Sequence, residues 1–381
     1  MTRRDFLLSA TAAGALLPMT DTAAQSPAPV PSTPQRYTAL ALQLRCDSVN
    51  TDATREAART RMRAAIARAS AQIGAAKGFL AGFNGYPVEL VVLPEYWMTS
   101  FPLGESREQW QDKAAIDIDG PESDLIAAMA ERHKVHLCSN HYENDPNFPD
   151  LYFQSNVIYD PSGAVALRYR RMISLYTPSP YDVWDRYLEA YGEDAVFPVA
   201  RTAIGVLATI ASEEILYPEI ARMHVFKGAE VLLHPTSEVG APGLTPKHIS
   251  KMARAVENIA YVVSANSAGI FATSVPANST DAMSIVIDWY GRTLAEAGGG
   301  ETINANAVLD IAALRETRRK TGMTNVLSRL PMDAFKNAYA RTHLAPANRT
   351  PDGKMIERPQ VIARQREVID RLVRDGILHE R

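Results

Sequence analysis

The chain has 381 residues, of which 46% are hydrophobic and 22% charged, the balance of a globular protein long enough for one large or two smaller domains. Its 40 basic and 43 acidic residues give a formal net charge of −3, so it carries no electrostatic footprint for nucleic acid or an anionic membrane surface. Small-molecule chemistry is the expectation that remains.

At the N-terminus, Arg3-Arg4 precedes Asp5-Phe6-Leu7-Leu8, a short apolar segment and a small-residue Thr22-Ala23-Ala24 step. Residues 1–24 resemble a twin-arginine export signal, which implies a bacterial periplasmic or secreted protein. The apolar part, Phe6 to Pro18, is too short for a spanning helix. Residues 25–35, with four prolines, read as a linker. Cys46 and Cys138 are the only cysteines, and each lies in or beside an apolar run, so two buried free thiols are expected rather than a disulfide scaffold.

From Tyr37 onward, apolar runs bounded by turn residues recur: Tyr37–Leu44, Leu90–Leu93, Val135–Cys138, Ser155–Tyr159, Ile204–Ile210, Val231–His234, Ala260–Ala265 and Met283–Trp289. They read as strands, several buried on both faces. Helix-period stretches lie between them, at Thr51–Ile73, Ser123–Arg132, Pro218–Lys227 and Lys247–Asn258. Strands alternating with helices predict an α/β fold. Turns at Asp160–Gly163 and Trp289–Arg292 predict hairpins and hence mixed sheets. One domain is expected over residues 36–327. The extension over 328–381 is basic and proline-punctuated, then helical from Gln360 to Ile377, and is expected to pack over its own domain or across a subunit contact.

Three segments carry chemistry. Glu95 follows the strand ending Leu93-Pro94, where a general base sits in an open α/β sheet; a structural cap is the bland reading. Leu167-Arg-Tyr-Arg-Arg-Met-Ile173 is either a solvated charge run or the carrier of one inward arginine. In Ala208-Thr-Ile-Ala-Ser-Glu-Glu-Ile-Leu-Tyr-Pro-Glu-Ile-Ala-Arg222, Ser212 stands at the exit of a buried strand. It is either a presented hydroxyl or a plain helix-start residue. His133, His136, Cys138 and His141 crowd together, but strand alternation brings only His136 and Cys138 to one face, and no metal site is expected.

In this order, Leu93-Pro-Glu95, Tyr169-Arg-Arg171, the elbow with Tyr217-Pro-Glu-Ile-Ala-Arg222, Lys227 to Thr236 and Ala253-Arg-Ala-Val-Glu-Asn258 resemble the nitrilase, or carbon-nitrogen hydrolase, superfamily. The resemblance spans roughly Tyr37 to Arg318. It implies a four-layer α-β-β-α sandwich with mixed sheets, a homo-oligomer, no metal or cofactor, and a Glu-Lys-Cys triad acting on amide or nitrile carbon. Here the glutamate falls on Glu95, the lysine on Arg171 and the cysteine on Ser212, or by a one-residue slip on Ala211. Asp185 and Glu189 are the candidates for the family's further acidic residue. Tyr96, Trp97, His141, Glu213, Glu214, His234 and Glu238 are the expected substrate contacts.

A serine hydroxyl must lose its proton as it attacks, which a cysteine thiolate need not. Arginine serves as a fixed charge but not as a proton shuttle. Two readings follow. In one, Ser212 is the nucleophile of an exported amidase-like hydrolase, with Glu95 as base and Arg171 stabilising the oxyanion. In the other, the fold is a binding protein that has lost its nucleophile. Acyl transfer to an amine is a third possibility, disfavoured by the lack of spanning segments.

Overall fold

The computed structural model describes residues 36–240, 243–342, 344–350, 354 and 356–379; the expected export signal (1–24) and linker (25–35) lie outside the described residues. The first half of the chain runs β1 (Tyr37–Ala41), β2 (Cys46–Asp47), α1 (Arg55–Asn84), β3 (Val88–Val92), α2 (Arg107–Ala114), β4 (Ile116–Asp117), α3 (Pro121–His133), β5 (His136–Asn144), β6 (Tyr152–Tyr159), β7 (Val165–Arg170) and α4 (Trp184–Tyr191). The second half runs β8 (Ala200–Thr202), β9 (Gly205–Thr209), α5 (Pro218–Phe226), β10 (Val231–Pro235), α6 (Pro246–Asn258), β11 (Tyr261–Ala265), β12 (Ile270–Phe271), β13 (Ile285–Ile287), β14 (Thr293–Glu296), β15 (Asn306–Leu309) and α7 (Ile311–Arg319). Two helices of the extension follow, α8 (Met332–Tyr339) and α9 (Arg358–Arg374).

The strands form two mixed sheets. One has the order β15-β1-β3-β5-β6-β7, with β4 beside β5; the other has β14-β13-β11-β10-β9-β8. β1, β3 and β5 are parallel, as are β9, β10 and β11, while hairpin partners run antiparallel. Every residue of β1, β9, β10 and β11 is buried, as their unbroken apolar runs predict for strands covered on both faces.

The sheets face one another. Ala39, Leu90, Cys138 and Ile158 of the first share one core with Leu207, Leu232, Val262 and Ile285 of the second. Asn156 Nδ2 on β6 donates across this layer to Thr209 Oγ1 on β9 at 2.6 Å. The outer face of the first sheet, with Leu40, Val91 and Leu137, packs on Met62 and Ile66 of α1 and Ile126 of α3. Ile220 and Val225 of α5 and Ala255 of α6 cover the second. Four layers result, α-β-β-α. Cys46 and Cys138 are buried and free, and burial pushes both thiols up to about 12.

Two elements depart from expectation. α1 runs on to Asn84, past the predicted end at Ile73, because its buried stripe continues through Ala76 and Leu80. Gly74, Gly78 and Gly82 obscure that continuation, since glycine disfavours helix, yet Gly74 is where the His133 ring closes in: a Cβ there would lie 3.1 Å from its Cε1. The extension packs over its own domain. Arg349 Nε lies 2.7 Å from Asp182 Oδ1, Thr350 N donates to the Asp182 carbonyl, Tyr339 Oη to Glu219, and the Arg358 guanidinium stacks 4.3 Å from the Tyr176 ring centre.

The parallel strands leave their carboxyl ends on one side, where open α/β sheets bind ligands. Glu95 follows β3, Arg171 follows β7, Ser212 follows β9, and His234 closes β10.

Candidate active site

Ser212 opens a short 3-10 turn (Ser212–Leu216) directly after β9. Its φ is 47°, the left-handed region that a non-glycine residue rarely adopts without a compensating role. Three residues hold it there: His234, Ser264 behind it, and Glu214. The His234 ring donates through Nε2 to the Ser212 carbonyl at 2.8 Å. A carbonyl can only accept, so Nε2 carries the proton and Nδ1 accepts from the Ser264 hydroxyl at 2.8 Å. Burial, with the nearby cations Lys251, Lys247 and Arg171, keeps His234 well below its ordinary range and so neutral. Glu214, the third residue, is fully buried and straps the turn to the β7 end: one oxygen accepts from Tyr169 Oη (2.8 Å), Met172 N (2.7 Å) and Ile173 N (2.9 Å), the other from Ala211 N (3.0 Å).

Beside the turn, Arg171 is 5% exposed and Glu95 2%. Arg171 Nη1 lies 3.2 Å from Glu95 Oε1 and 2.6 Å from Gln154 Oε1, its Nη2 lies 2.7 Å from Glu213 Oε1, and its Nε donates to the Ile173 carbonyl at 2.8 Å. Gln154 Nε2 donates to the same Glu95 oxygen at 2.8 Å. Burial works against the Arg171 charge, but Glu95, Tyr96 and Glu213 together hold it above its ordinary value. The guanidinium is a permanent cation with nearly all its donors engaged.

The hydroxyl of Ser212 meets a residue that sequence reasoning missed. Lys247 Nζ lies 3.0 Å from Ser212 Oγ and 3.4 Å from Thr236 Oγ1. Lys247 stands in the first turn of α6, after the N-cap Thr245 and Pro246. Only one signal in the sequence could have marked it: a cation, with no acidic residue, at a helix start where acids are favoured. By contrast, no hydrogen bond joins Glu95, the expected base, to Ser212 among the described residues. The Glu95 carboxylate is turned toward Arg171 and Gln154.

A cavity of about 550 Å³ opens here. Arg171 and Glu213 line it, with Tyr96, Tyr142, Tyr152 and Tyr176 as an aromatic surround, while Ser212, Glu95 and Lys247 stand behind this lining. Arg107 and, from the C-terminal extension, Arg358 stand on its walls. A larger, more open groove of about 740 Å³ near Asp117 and Asp145 contains none of the residues around Ser212.

Several expected substrate contacts are supports instead. Trp97, His141, Glu214, His234 and Glu238 do not line the cavity. Trp97 is buried and donates to Ser139 Oγ at 3.0 Å. Strand alternation on β5 puts Asn140 and Tyr142 toward Tyr96 but turns His141 to the Glu143 and Arg168 side. Glu238 is held by Lys251 Nζ at 2.8 Å, by the Thr245 hydroxyl and by Asn266, to which its own N–H donates. Asp185 and Glu189, the candidates for a further acidic group, are exposed on α4, whose buried residue is Tyr187. The second carboxylate on Arg171 is Glu213. Among the described residues no cluster of His, Cys, Asp or Glu is arranged to hold a metal ion, and no helix is long and apolar enough to cross a membrane.

The Glu238–Lys251 pair is buried at both ends, 3% and 0% exposed. Lys251→Met strands the carboxylate, and a loss of about 3–5 kcal/mol in unfolding free energy is expected, measured by urea denaturation.

The model of the carbon-nitrogen hydrolase family matches residues 52–319. The chain belongs to the carbon-nitrogen hydrolase family. It is 30% identical over 234 residues to a 2-oxoglutaramate amidase of Bacillus subtilis, covering 60% of this chain and 81% of that one. It is 29% identical over 189 residues to a formamidase of Bacillus cereus, covering 49% of this chain and 52% of the relative, so it spans about half the length of the formamidases. Its fold is that of the nitrilase superfamily. A superfamily member from Saccharomyces cerevisiae superposes with a TM-score of 0.58 at 22% identity, over 78% of this chain and 97% of the other. A cysteine-to-serine mutant of a Nesterenkonia amidase does so with a TM-score of 0.52 at 19% identity, over 81% and 98%. As a carbon-nitrogen hydrolase with amidase homologues, the chain is an enzyme of the class that hydrolyses amide-type bonds.

Proposed function

We propose that the protein is an exported amide hydrolase whose nucleophile is Ser212. The observation that carries this reading is the elbow itself: a buried serine held at φ 47° by three other residues, with its hydroxyl directed to an amine 3.0 Å away. The backbone N–H of Glu213 is among the first donors of the turn, which have no partner within it. With the remaining Arg171 N–H it forms the oxyanion site. Glu95, fixed by Arg171 and Gln154, accepts from the substrate amide N–H and orients the hydrolytic water. Export is supported by the Arg3-Arg4 leader pattern, and a serine nucleophile escapes the oxidation that a reactive thiolate meets outside the cytoplasm.

The cavity favours a small amide that also bears a carboxylate. Neither Arg107 nor Arg358 is in an ion pair with a described residue, whereas Arg171, Glu213 and Glu105 on the same walls are paired; Glu357 is the one other charged group of the lining, so two cations there stand against one carboxylate. A carboxylate meeting a guanidinium gains charge-assisted, bidentate bonding. The aromatic walls accommodate a short carbon skeleton. The relative named as a 2-oxoglutaramate amidase is in accord with this.

The test is ammonia release from a panel of short neutral amides and amide-bearing carboxylic acids. Turnover is expected, with the acids preferred; Arg107→Met raises KM for the acids and leaves the neutral amides nearly unchanged. Equal KM changes for both groups would remove the carboxylate preference. No turnover of any amide by folded protein would sink the hydrolase reading.

A further inference from the structure

A serine nucleophile needs a proton acceptor, and neither family position is hydrogen-bonded to Ser212 Oγ among the described residues. Arg171 does not give up a proton under any ordinary condition, and Glu95 is turned into its pairs with Arg171 and Gln154. We propose that Lys247, from the first turn of α6, is the general base of this enzyme and forms a Ser212–Lys247 dyad. This rests on the reading of Ser212 as nucleophile.

Geometry and surroundings support it. Lys247 Nζ is 3.0 Å from Ser212 Oγ, within the reach required of a general base. The hydroxyl has no other hydrogen-bond partner among the described residues. Lys247 stands at the positive end of the α6 dipole, is in no ion pair with a described residue, and shares its surroundings with Arg171, Lys251 and the Glu238 carboxylate. Those neighbours, Arg171 and Lys251, have carboxylate partners in Glu95, Glu213 and Glu238. His234, also close by, is kept neutral by burial and by the same cations. Glu238, the other charged group nearby, is taken up by Lys251, Thr245 and Asn266. Lys247 Nζ is the one hydrogen-bond partner of Ser212 Oγ among the described residues, the pairing that other serine hydrolases use.

The steps balance. As Oγ bonds to the amide carbon, its proton passes to Nζ and the carbonyl electron pair moves to oxygen, where the Glu213 N–H meets it. Collapse breaks the C–N bond; the leaving nitrogen takes the pair and the proton from Nζ, and ammonia or amine departs. Water then attacks the acyl ester, giving a proton to Nζ, and the ester C–O bond breaks. Oγ recovers its proton from Nζ and the carboxylic acid leaves. Water is the only co-reactant these steps consume.

The experiment compares acylation of Ser212 and the pH profile of kcat/KM for wild type, Lys247→Arg and Lys247→Cys before and after aminoethylation. Alkylation after folding is selective, because Cys46 and Cys138 are buried and their thiols are pushed up to about 12. Lys247→Arg keeps a cation but accepts no proton, and a loss of at least about a hundredfold in acylation rate is expected. Aminoethylation restores lysine shape with a weaker base. Activity should return with the acidic limb of the profile moved to lower pH. Wild-type acylation rates in Lys247→Arg, or restored activity with an unmoved limb, would overturn the dyad while leaving Ser212 as nucleophile. Absence of acylation at Ser212 in the wild type would overturn both.

Discussion

Ser212→Ala is expected to lower kcat by about 10³-fold or more, the range seen when a serine hydrolase loses its nucleophile, with KM little changed. The reason lies in what the side chain does in the structure. Its hydroxyl meets Lys247, while the turn is held by backbone and neighbours: the His234 bond to the Ser212 carbonyl and the Glu214 bonds to Ala211, Met172 and Ile173. Removing Oγ leaves these in place, so the unfolding free energy should shift by about 1 kcal/mol or less. A large kinetic loss on an intact fold separates a nucleophile from a plain turn residue. Steady-state ammonia release and a thermal melt, run on the same preparation, check both halves.

The second large effect is on acid stability. Burial pushes His141 and His224 down to about 4, and His234 well below its ordinary value of 6.5. In the unfolded chain these rings take up protons near pH 6.5, whereas in the folded chain they remain neutral until about pH 4 or lower. The unfolded state therefore binds more protons across this interval, and stability falls as pH drops from about 6.5 to about 4. For His141 and His224 the loss is roughly 3 kcal/mol each at the lower end. At lower pH Glu143 adds to the loss. Burial disfavours its charge, yet Arg170 and Arg168 hold it below the usual carboxylate range, so its contribution disappears as it protonates. Urea denaturation at pH 7.5, 6 and 5 should show the midpoint falling well before carboxylates titrate. His141→Leu, which removes a buried group without a hydrogen-bond partner, should flatten the slope. A midpoint unchanged from pH 7.5 to 5 would contradict the account.

The sheets were legible because their strands are buried on both faces, and such burial writes unbroken apolar runs into the sequence. β7 was not, since an edge strand alternates: Leu167 and Tyr169 point to the core while Arg168 and Arg170 reach Glu143. In sequence that alternation looks like a charge run. Glu95 and Ser212 were legible as positions following strands, and Arg171 through the resemblance of Tyr169-Arg-Arg171 to the family pattern. Their partners were not, because the Arg171–Glu213 contact and the Lys247 approach depend on how a turn and a distant helix are aimed. The pocket role of Arg358 was hidden for a further reason: it stands 187 residues beyond Arg171, in an extension that resembles no pattern of the family. His141, Trp97 and Glu238 looked like pocket residues because strand ends feed the site, but side-chain alternation and a buried ion pair turn them into its supports.

The most direct measurement is intact-mass and peptide-level spectrometry of the protein quenched during turnover of an amide-bearing carboxylic acid, run beside Ser212→Ala. The account predicts an acyl adduct on the peptide carrying Ser212, formed in the wild type and absent from the alanine variant. Ammonia release without an adduct on that peptide, or at equal rates in both proteins, would contradict it and place the chemistry elsewhere in the fold.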